Sequence, residues 1–392
     1  MTPWTAIRDA LLLVALAPYV YYILASVAAA KLFKQTGSPA PAPDRTSVTR
    51  EFEPRISILK PIRGLDRETY ENFASFCSQD YPEFEVLFCV SDDSDPAIPI
   101  IEKTIAAFPR RRIRLLIGSE PIGASDKVNK LCRMAREARY ELLLVSDSDV
   151  RVEPGFLRSV VAFFADPEVG GVTCLYRGLT DGSFAAEIEA IGNSTDFAPG
   201  VAVAWLLNGE KLDFMLGAVM ATTKQHLAAI DGFESFADYF CDDYELGNRL
   251  AAKGFRVELS AIPVSIVYPH QNLAAAFRHQ LRWNLSVRFS RPWGHAGLFF
   301  SQGLFWTILG TCLAPGWYAL VYPTAYALFR TDAALSVGAR GMGDQLIRRK
   351  GWLLVIRDAF SFLVWVASFF PRRIHWRDRQ FIVRDKKLIL TR

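Results

Sequence analysis

The chain has 392 residues, which is enough for one large domain or two of ordinary size. Hydrophobic residues make up 51% of the composition, and this fraction excludes an intrinsically disordered chain. The 45 Lys and Arg residues exceed the 41 Asp and Glu residues by a formal net charge of only +4, so nucleic acid is not expected as a partner.

The chain begins with a candidate membrane anchor. Ala10–Ala30 contains no charged side chain, and 21 helical residues are long enough to cross the roughly 30 Å hydrocarbon core of a bilayer. A cleaved signal peptide is the alternative, because small residues stand at 28–30. More basic residues follow this stretch than precede it, which places the next domain in the cytosol. We predict an anchor at 1–35 and a linker at 36–50.

Two further apolar stretches lie near the other end of the chain. Gly297–Phe329 has no charge over 33 residues, and Gly351–Phe370 is interrupted only by Arg357 and Asp358. Adjacent charges do not form an i,i+4 pair on a helix and are costly at membrane depth. The second stretch is therefore either a span with an internal polar face or an interfacial helix. We predict membrane segments over 292–370, with the number of crossings left open.

The region between these apolar ends, residues 51–291, alternates short β-rich runs with helical patterns. This alternation predicts a water-soluble α/β domain with a mostly parallel sheet covered by helices. The predicted strands are Ile56–Lys60, Glu85–Val90, Ile113–Ile117, Leu142–Val145, Gly171–Leu175, Leu216–Thr222 and Phe255–Leu259. The predicted helices are Glu68–Gln79, Ile98–Phe108, Lys127–Ala138, Pro154–Phe164, Lys224–Ile230 and Tyr244–Lys253. Ligands of such sheets bind beyond the carboxyl ends of the strands.

Three acidic clusters lie at or near such ends. Asp92 follows one strand, Asp147 and Asp149 follow another, and Asp242 and Asp243 open a helix. Taken alone, each cluster is also typical of turns and helix caps. Carboxylates that converge on one site repel each other unless a cation lies among them, and Mg²⁺ or Mn²⁺ takes oxygen ligands. The three clusters together therefore indicate a divalent cation.

Positive charge is available at two other places. Lys127 lies near a helix N-terminus, where backbone N–H groups and the ammonium favour a phosphate, although many helix starts have this pattern. Gln280, Arg282 and Trp283 lie in the basic, aromatic stretch 277–293. A guanidinium binds phosphate oxygens and an indole packs on a sugar or lipid, but a helix at a membrane interface has the same composition. Both interpretations stay open here.

In this order and spacing, Asp92, Asp147-Ser148-Asp149, Asp243 and Gln280-Leu281-Arg282-Trp283 resemble the D, D, D, (Q/R)xxRW signature of inverting glycosyltransferases of families 2 and 21. The chain is most similar to the ceramide glucosyltransferase family, whose members share one N-terminal span and apolar C-terminal segments. Animal members of that family have Glu at the position of Asp242 and a small residue at that of Asp149. The resemblance implies a GT-A fold.

The resemblance also implies a role for each residue. The implied donor-binding residues are Asp92, Lys127, Asp147, Gln280, Arg282 and Trp283. Asp149 would bind a divalent ion, Mg²⁺ or Mn²⁺, beside the phosphates of a UDP-sugar, and Trp283 would also form the floor of the acceptor site. Asp243 would be the general base that takes the proton of the acceptor hydroxyl, so that the sugar is transferred with inversion.

The implied reaction moves glucose from UDP-glucose to the primary hydroxyl of ceramide or a related lipid. A hopanoid-lipid transferase that uses UDP-N-acetylglucosamine is the alternative, because residues 171–178 also resemble such enzymes. A non-catalytic membrane scaffold would not require a carboxylate at each of these positions. Lipid acceptors stay in the bilayer, so we expect a multi-pass protein, in the inner membrane if bacterial, with a cytosolic catalytic domain. The basic tail, 371–392, is suited to an anionic lipid surface.

Overall fold

The structure is a computed structural model that describes residues 2–34, 52–370, 373–376 and 379–391. The predicted linker lies outside these residues. The chain folds into two compact units, each built from separate segments. The helical unit comprises the described residues within 1–34, 180–207 and 270–372, and the sheet unit those within 35–179, 208–269 and 373–392. The units do not follow the predicted boundaries of 51–291, which stay a prediction for the catalytic domain.

All strands of the described chain belong to the sheet unit. They are β1 (Ile56–Pro61), β2 (Phe84–Val90), β3 (Arg112–Ile117), β4 (Leu142–Ser146), β5 (Val150–Arg151), β6 (Val169–Leu179), β7 (Val219–Thr223), β8 (Arg256–Val267), β9 (Arg373–Trp376), β10 (Arg379–Arg384) and β11 (Lys387–Leu390). The first eight form one sheet in the order β3-β2-β1-β4-β7-β6-β8-β5, and the last three form a second sheet. β3, β2, β1 and β4 are parallel, as are β6 and β8, while β7 runs antiparallel to both neighbours. The predicted mostly parallel sheet is confirmed.

The helices cover this sheet or build the helical unit. They are α1 (Pro3–Val14), α2 (Ala17–Lys34), α3 (Thr69–Cys77), α4 (Ile98–Ala107), α5 (Asp126–Glu137), α6 (Phe156–Val161), α7 (Phe184–Gly192), α8 (Ala198–Leu207), α9 (Lys224–Ala228), α10 (Asp242–Ala252), α11 (Leu273–Ser290), α12 (Pro292–Gly297), α13 (Gly303–Leu313), α14 (Val321–Ala333), α15 (Gln345–Lys350) and α16 (Leu353–Ala367). α3–α6, α9 and α10 belong to the sheet unit, and the others to the helical unit.

The middle of the large sheet is buried on both faces. Every residue of β1, β2 and β4 is buried, because continuous apolar runs suit parallel strands that helices cover on both sides. From β1 the chain adds β2 and β3 on one side and β4 on the other. The carboxyl ends of β1 and β4 therefore flank the point where the strand order reverses, which is where ligands of open α/β sheets bind.

The helical unit contains the candidate membrane helix. Pro3–Lys34 is long and apolar enough to cross a bilayer, and 28% of its most apolar window is buried in the protein. Pro292–Ser301 and Gly303–Leu313 pass the same test only as a pair bent by 49°. By length and composition, the described chain thus has one candidate span, or two if the bent pair is one span.

The predicted C-terminal segments differ from continuous spans. The uncharged stretch from 297 to 329 is divided among α12, α13 and α14. Pro315 and Gly316 separate α13 from α14, because Pro315 has no N–H to continue a helix and Gly316 turns the chain at a φ of 54°. α16 has 15 residues, fewer than the roughly 20 needed to cross a bilayer. Its charges Arg357 and Asp358 are 5% and 8% exposed, so both side chains are buried within the protein, and the choice between a span with an internal polar face and an interfacial helix stays a prediction.

Candidate active site

The carboxyl end of β4 and the N-terminus of α10 position the carboxylates of two of the predicted acidic clusters. β4 ends at Ser146, so Asp147 is the first residue beyond its carboxyl end, and α10 begins at Asp242. Ser125 caps the N-terminus of α5, and its hydroxyl accepts from the N–H of Val128 at 3.4 Å. This cap leaves Lys127 in the first turn of the helix.

Lys127 connects the two acidic clusters. Its Nζ lies 2.9 Å from Oδ1 of Asp147 and 3.0 Å from Oδ2 of Asp242. Burial opposes the charge of Lys127, but Asp147 and then Asp242 outweigh it and raise its pKa above the ordinary value. Oδ2 of Asp242 is buried and accepts no hydrogen bond within the described chain, so its contact with Lys127 is purely an ion pair. Lys127, predicted as a donor-binding residue, thus pairs with Asp147 and Asp242 in this structure, and its contact with the donor stays a prediction.

The carboxylates of Asp243 and Asp147 both lie next to Gly217. A Cβ added at Gly217 would lie 3.2 Å from Oδ2 of Asp243 and 3.6 Å from Oδ2 of Asp147. Oδ1 of Asp243 accepts from the backbone N–H of Tyr244 at 2.7 Å and from the Cys241 thiol at 3.0 Å. Burial and the neighbouring charge of Asp242 raise the pKa of Asp243. A carboxylate of raised pKa is a stronger base than an ordinary one, as general-base catalysis requires.

Asp149 is held near other carboxylates. Burial, followed by the charges of Asp147 and Asp66, raises the pKa of Asp149 to about 7. No group of three His, Cys, Asp or Glu side chains among the described residues is placed to hold a metal ion. Mg²⁺ is commonly bound by one or two carboxylates together with substrate phosphates. Asp147 and Asp149 supply carboxylate oxygens of that kind, so their chemistry fits a hard divalent cation.

Lys60 is a charged residue at this edge that the sequence analysis included only as the end of a strand. It is fully buried in β1, and its Nζ donates to the carbonyl of Asp147 at 2.8 Å and lies 3.8 Å from the centre of the Phe76 ring. Burial lowers the pKa of Lys60 to about 7, although Asp147 and Asp149 oppose this shift. A lysine at the end of an otherwise apolar strand was the signal available in the sequence.

Asp92 occupies a different setting. It follows β2 and is exposed, and its Oδ1 accepts from the backbone N–H of Ser94 at 3.0 Å and from the Ser94 hydroxyl. These two hydrogen bonds lower the pKa of Asp92. The geometry is that of a turn in which an Asp side chain accepts from a residue two positions later. The donor contact predicted for Asp92 stays a prediction.

Gln280, Arg282 and Trp283 lie on α11 of the helical unit. Gln280 is 5% exposed, its Nε2 donates to Oε1 of Glu189 at 2.9 Å, and its Oε1 accepts from Arg357 at 3.0 Å. The side-chain nitrogen of Gln280 is thus bonded to α7 and its side-chain oxygen to α16. Arg282 and Trp283 are half-buried, and the Trp283 ring centre lies 4.9 Å from that of His279. Their predicted donor and acceptor contacts stay predictions.

Buried charges in the helical unit extend this network. Arg357 donates to Asp196 at 2.7 Å, and Arg330 donates to Asp196 at 2.8 Å and to Asp358 at 2.6 Å. Gly192 on α7 permits the approach of Arg357, since a Cβ there would lie 2.2 Å from the guanidinium carbon. These charged side chains, which would be costly at membrane depth, are therefore paired with opposite charges inside the helical unit.

A sequence model of Glycosyl transferase family 21 matches residues 10–389. Ceramide glucosyltransferases 1 and 3 of Caenorhabditis elegans are 30% identical over 213 residues and 28% identical over 223 residues. Each match covers 54% of this chain and 45% of the relative, so the chain spans less than half the length of these relatives.

A solved structure has a similar fold. The mannosyltransferase PcManGT of Pyrobaculum calidifontis, in complex with GDP-Man and Mn²⁺, matches with a TM-score of 0.54 and 19% identity over 93% of this chain and 98% of that one. At this identity the likeness concerns the fold alone. It confirms the predicted GT-A-like glycosyltransferase fold of the sheet.

Replacing Asp149 by Asn tests the electrostatics at the end of β4. Between its ordinary pKa near 4 and the folded value of about 7, Asp149 binds a proton in the folded protein but not in the unfolded chain, so stability falls as pH rises through this window. Asp149→Asn, without added divalent cation, should be more stable than the wild type by a larger margin at pH 8 than at pH 5, the difference between the two margins being on the order of 1 kcal/mol or more. Thermal unfolding at both pH values measures this, with exposed Asp93→Asn as control; an equal difference at both would contradict it.

Replacing Arg357 by Met tests the network in the helical unit. The variant removes the Arg357 guanidinium that donates to Asp196 and to the side-chain oxygen of Gln280. The loss of one partner from a buried ion pair costs about 3 kcal/mol. Arg340→Met is the matched control, because Arg340 is 61% exposed and its pair with Asp332 lies at the surface. We expect a thermal midpoint several degrees lower for Arg357→Met only; equal midpoints would rule out a stabilising network.

Proposed function

The chain is a member of glycosyl transferase family 21, and we propose that it transfers glucose from UDP-glucose to the primary hydroxyl of ceramide with inversion at the anomeric carbon. The observation that carries the proposal is the arrangement of Asp243 and Asp147, whose carboxylates both lie next to Gly217, with Lys127 in contact with Asp147. This arrangement places Asp243, a carboxylate of raised pKa, and the positively charged Lys127 at the same edge of the sheet.

We propose that Asp243 is the catalytic base. An alcohol is a weak nucleophile until its proton is removed. In the proposed step, the Asp243 carboxylate takes the proton of the ceramide hydroxyl while that oxygen forms a bond to the anomeric carbon of glucose. The bond between this carbon and the UDP oxygen breaks, and its electron pair leaves with UDP. The hydrogen bonds from Tyr244 and Cys241 to Oδ1 support this role, because they fix the orientation of the carboxylate.

We propose that Lys127 and Asp147 contact the donor, and that Asp147 and Asp149 bind Mg²⁺ or Mn²⁺. The ion would supply positive charge that offsets the charge developing on the leaving diphosphate. Lys127 supplies charge from the protein itself, at a helix start where N–H groups favour anions. Lys60 would position Asp147, which has both proposed roles, because the ammonium of Lys60 donates to the backbone carbonyl of Asp147.

We further propose that the protein is integral to the membrane, with the sheet unit in the cytosol. The support is the apolar helix Pro3–Lys34 and the two lysines in its last turn. Ceramide does not leave a bilayer readily, since each buried CH₂ contributes about 0.8 kcal/mol to its membrane affinity. An enzyme that is anchored in the membrane meets this acceptor where it resides.

The proposal is tested with the full-length protein in lipid nanodiscs that contain ceramide. Labelled UDP-glucose with Mn²⁺ should yield β-glucosylceramide, identified by mass spectrometry. Parallel reactions with UDP-N-acetylglucosamine and a hopanoid acceptor test the alternative. Product only in the hopanoid reaction would contradict the proposed acceptor, and no UDP release in any reaction would contradict the enzyme itself.

Replacement of Asp243 by Asn tests the base directly. The variant keeps the shape of the side chain but takes no proton, so turnover should fall by 10²-fold or more while calorimetry shows unchanged UDP binding. Glu102→Gln, which removes an exposed carboxylate from α4, is the matched control and should keep wild-type turnover. Loss of UDP binding together with turnover would remove Asp243 from this role.

A further inference from the structure

The C-terminal residues form a hairpin in the sheet unit. β10 and β11 are antiparallel, with Arg384 opposite Lys387. Asp385 and Lys386 connect them with φ angles of 52° and 64°, as a two-residue turn between twisted strands requires. Phe381, Val383 and Leu388 are buried, whereas Ile389 is 46% exposed. The segment predicted only as a basic tail therefore has an apolar face within the sheet unit.

The hairpin pairs with the segment that leads into α10. The N–H of Leu388 donates to the carbonyl of Asp238 at 2.7 Å, and the N–H of Phe240 donates to the carbonyl of Lys386 at 3.0 Å. Tyr239 and Lys387 form an antiparallel bridge between these bonds. Segment 238–240 is thus held along its backbone, two residues before α10 begins at Asp242.

The other side of the same segment is bound to the loop before α5. Oδ1 of Asp238 accepts from the N–H of Ala124 at 2.9 Å, and the carbonyl of Ala237 accepts from the N–H of Ser125 at 2.9 Å. Gly123 permits this contact, because a Cβ there would lie 2.6 Å from the Ala237 carbonyl. Ser125 caps the helix that carries Lys127.

We infer that the C-terminal hairpin is a positioning element of the reaction, which holds segment 237–240 so that the start of α10, with Asp243, faces Lys127 and Asp147. The inference rests on the proposed function. Leu388 is its buried anchor, and Asp238 joins the hairpin to the loop of α5. Neither residue is a catalytic residue; both act through the backbone that leads to Asp243. A displacement of about 1 Å of a catalytic group is enough to reduce turnover by up to 10²-fold.

The test compares two neighbours on opposite faces of β11. Leu388→Ala removes a buried side chain, and Ile389→Ala removes an exposed one. In the full-length protein, Leu388→Ala should lower kcat about tenfold or more with KM for UDP-glucose within about threefold of the wild type, and Leu388→Met should restore kcat. Ile389→Ala should behave as the wild type. Equal kcat for the Leu388→Ala and Ile389→Ala variants would overturn the inference.

Two further measurements keep the test independent of folding and of the proposed reaction. Hydrogen exchange of the Phe240 amide should accelerate in Leu388→Ala while amides of β2 and β4 keep wild-type rates; unchanged exchange at Phe240 overturns the inference even without turnover. Asp238→Ala, at an exposed position, should lower kcat, and Asp238→Asn, which keeps an oxygen acceptor for Ala124, should not. No transfer by the wild type would count against the proposed function instead.

Discussion

The ion pairs of Lys127 are the interaction on which the site depends. One ammonium, with a side chain only 17% exposed, balances carboxylates from the end of β4 and the start of α10. Without it, Asp147, Asp242 and Asp243 would be neighbouring like charges, with Asp242 buried, and such charges protonate or move apart. The same balance leaves Asp243 with a raised pKa, because Lys127 compensates only part of the cost of burial and of Asp242.

The sequence predicted the centre of the sheet well because β1, β2 and β4 are buried runs with clear ends. β1, predicted at Ile56–Lys60, extends one residue further, to Pro61, and the edge of the sheet that carries the candidate site is predicted because Asp147 follows β4 directly. The ion pairs of Lys127 with Asp147 and Asp242 are not predicted by the sequence, which indicates only a phosphate contact for this lysine. The extended β8 and the helices at 184–207 were missed, since the apolar residues there do not distinguish strand from buried helix.

Contacts between residues far apart in sequence were beyond the sequence analysis. The bonds of Gln280 to Glu189 and Arg357 join three helices that no local pattern brings together, so the sequence does not predict them. The donor contact of Gln280 stays a prediction. The C-terminal hairpin was interpreted as a tail because its basic residues dominate the composition. The alternation of Phe381 with Val383 and the polar turn after Arg384 were the available signals for strands.

A double-mutant cycle between Lys127 and Asp242 tests the central claim most directly. Lys127→Met alone leaves buried carboxylates unbalanced and should lower the free energy of unfolding by about 3 kcal/mol. Adding Asp242→Asn should restore part of this loss, with a coupling of about 1 kcal/mol or more, measured by denaturant unfolding of the full-length protein at pH 7. Effects of the two substitutions that add to within about 0.5 kcal/mol would contradict the account.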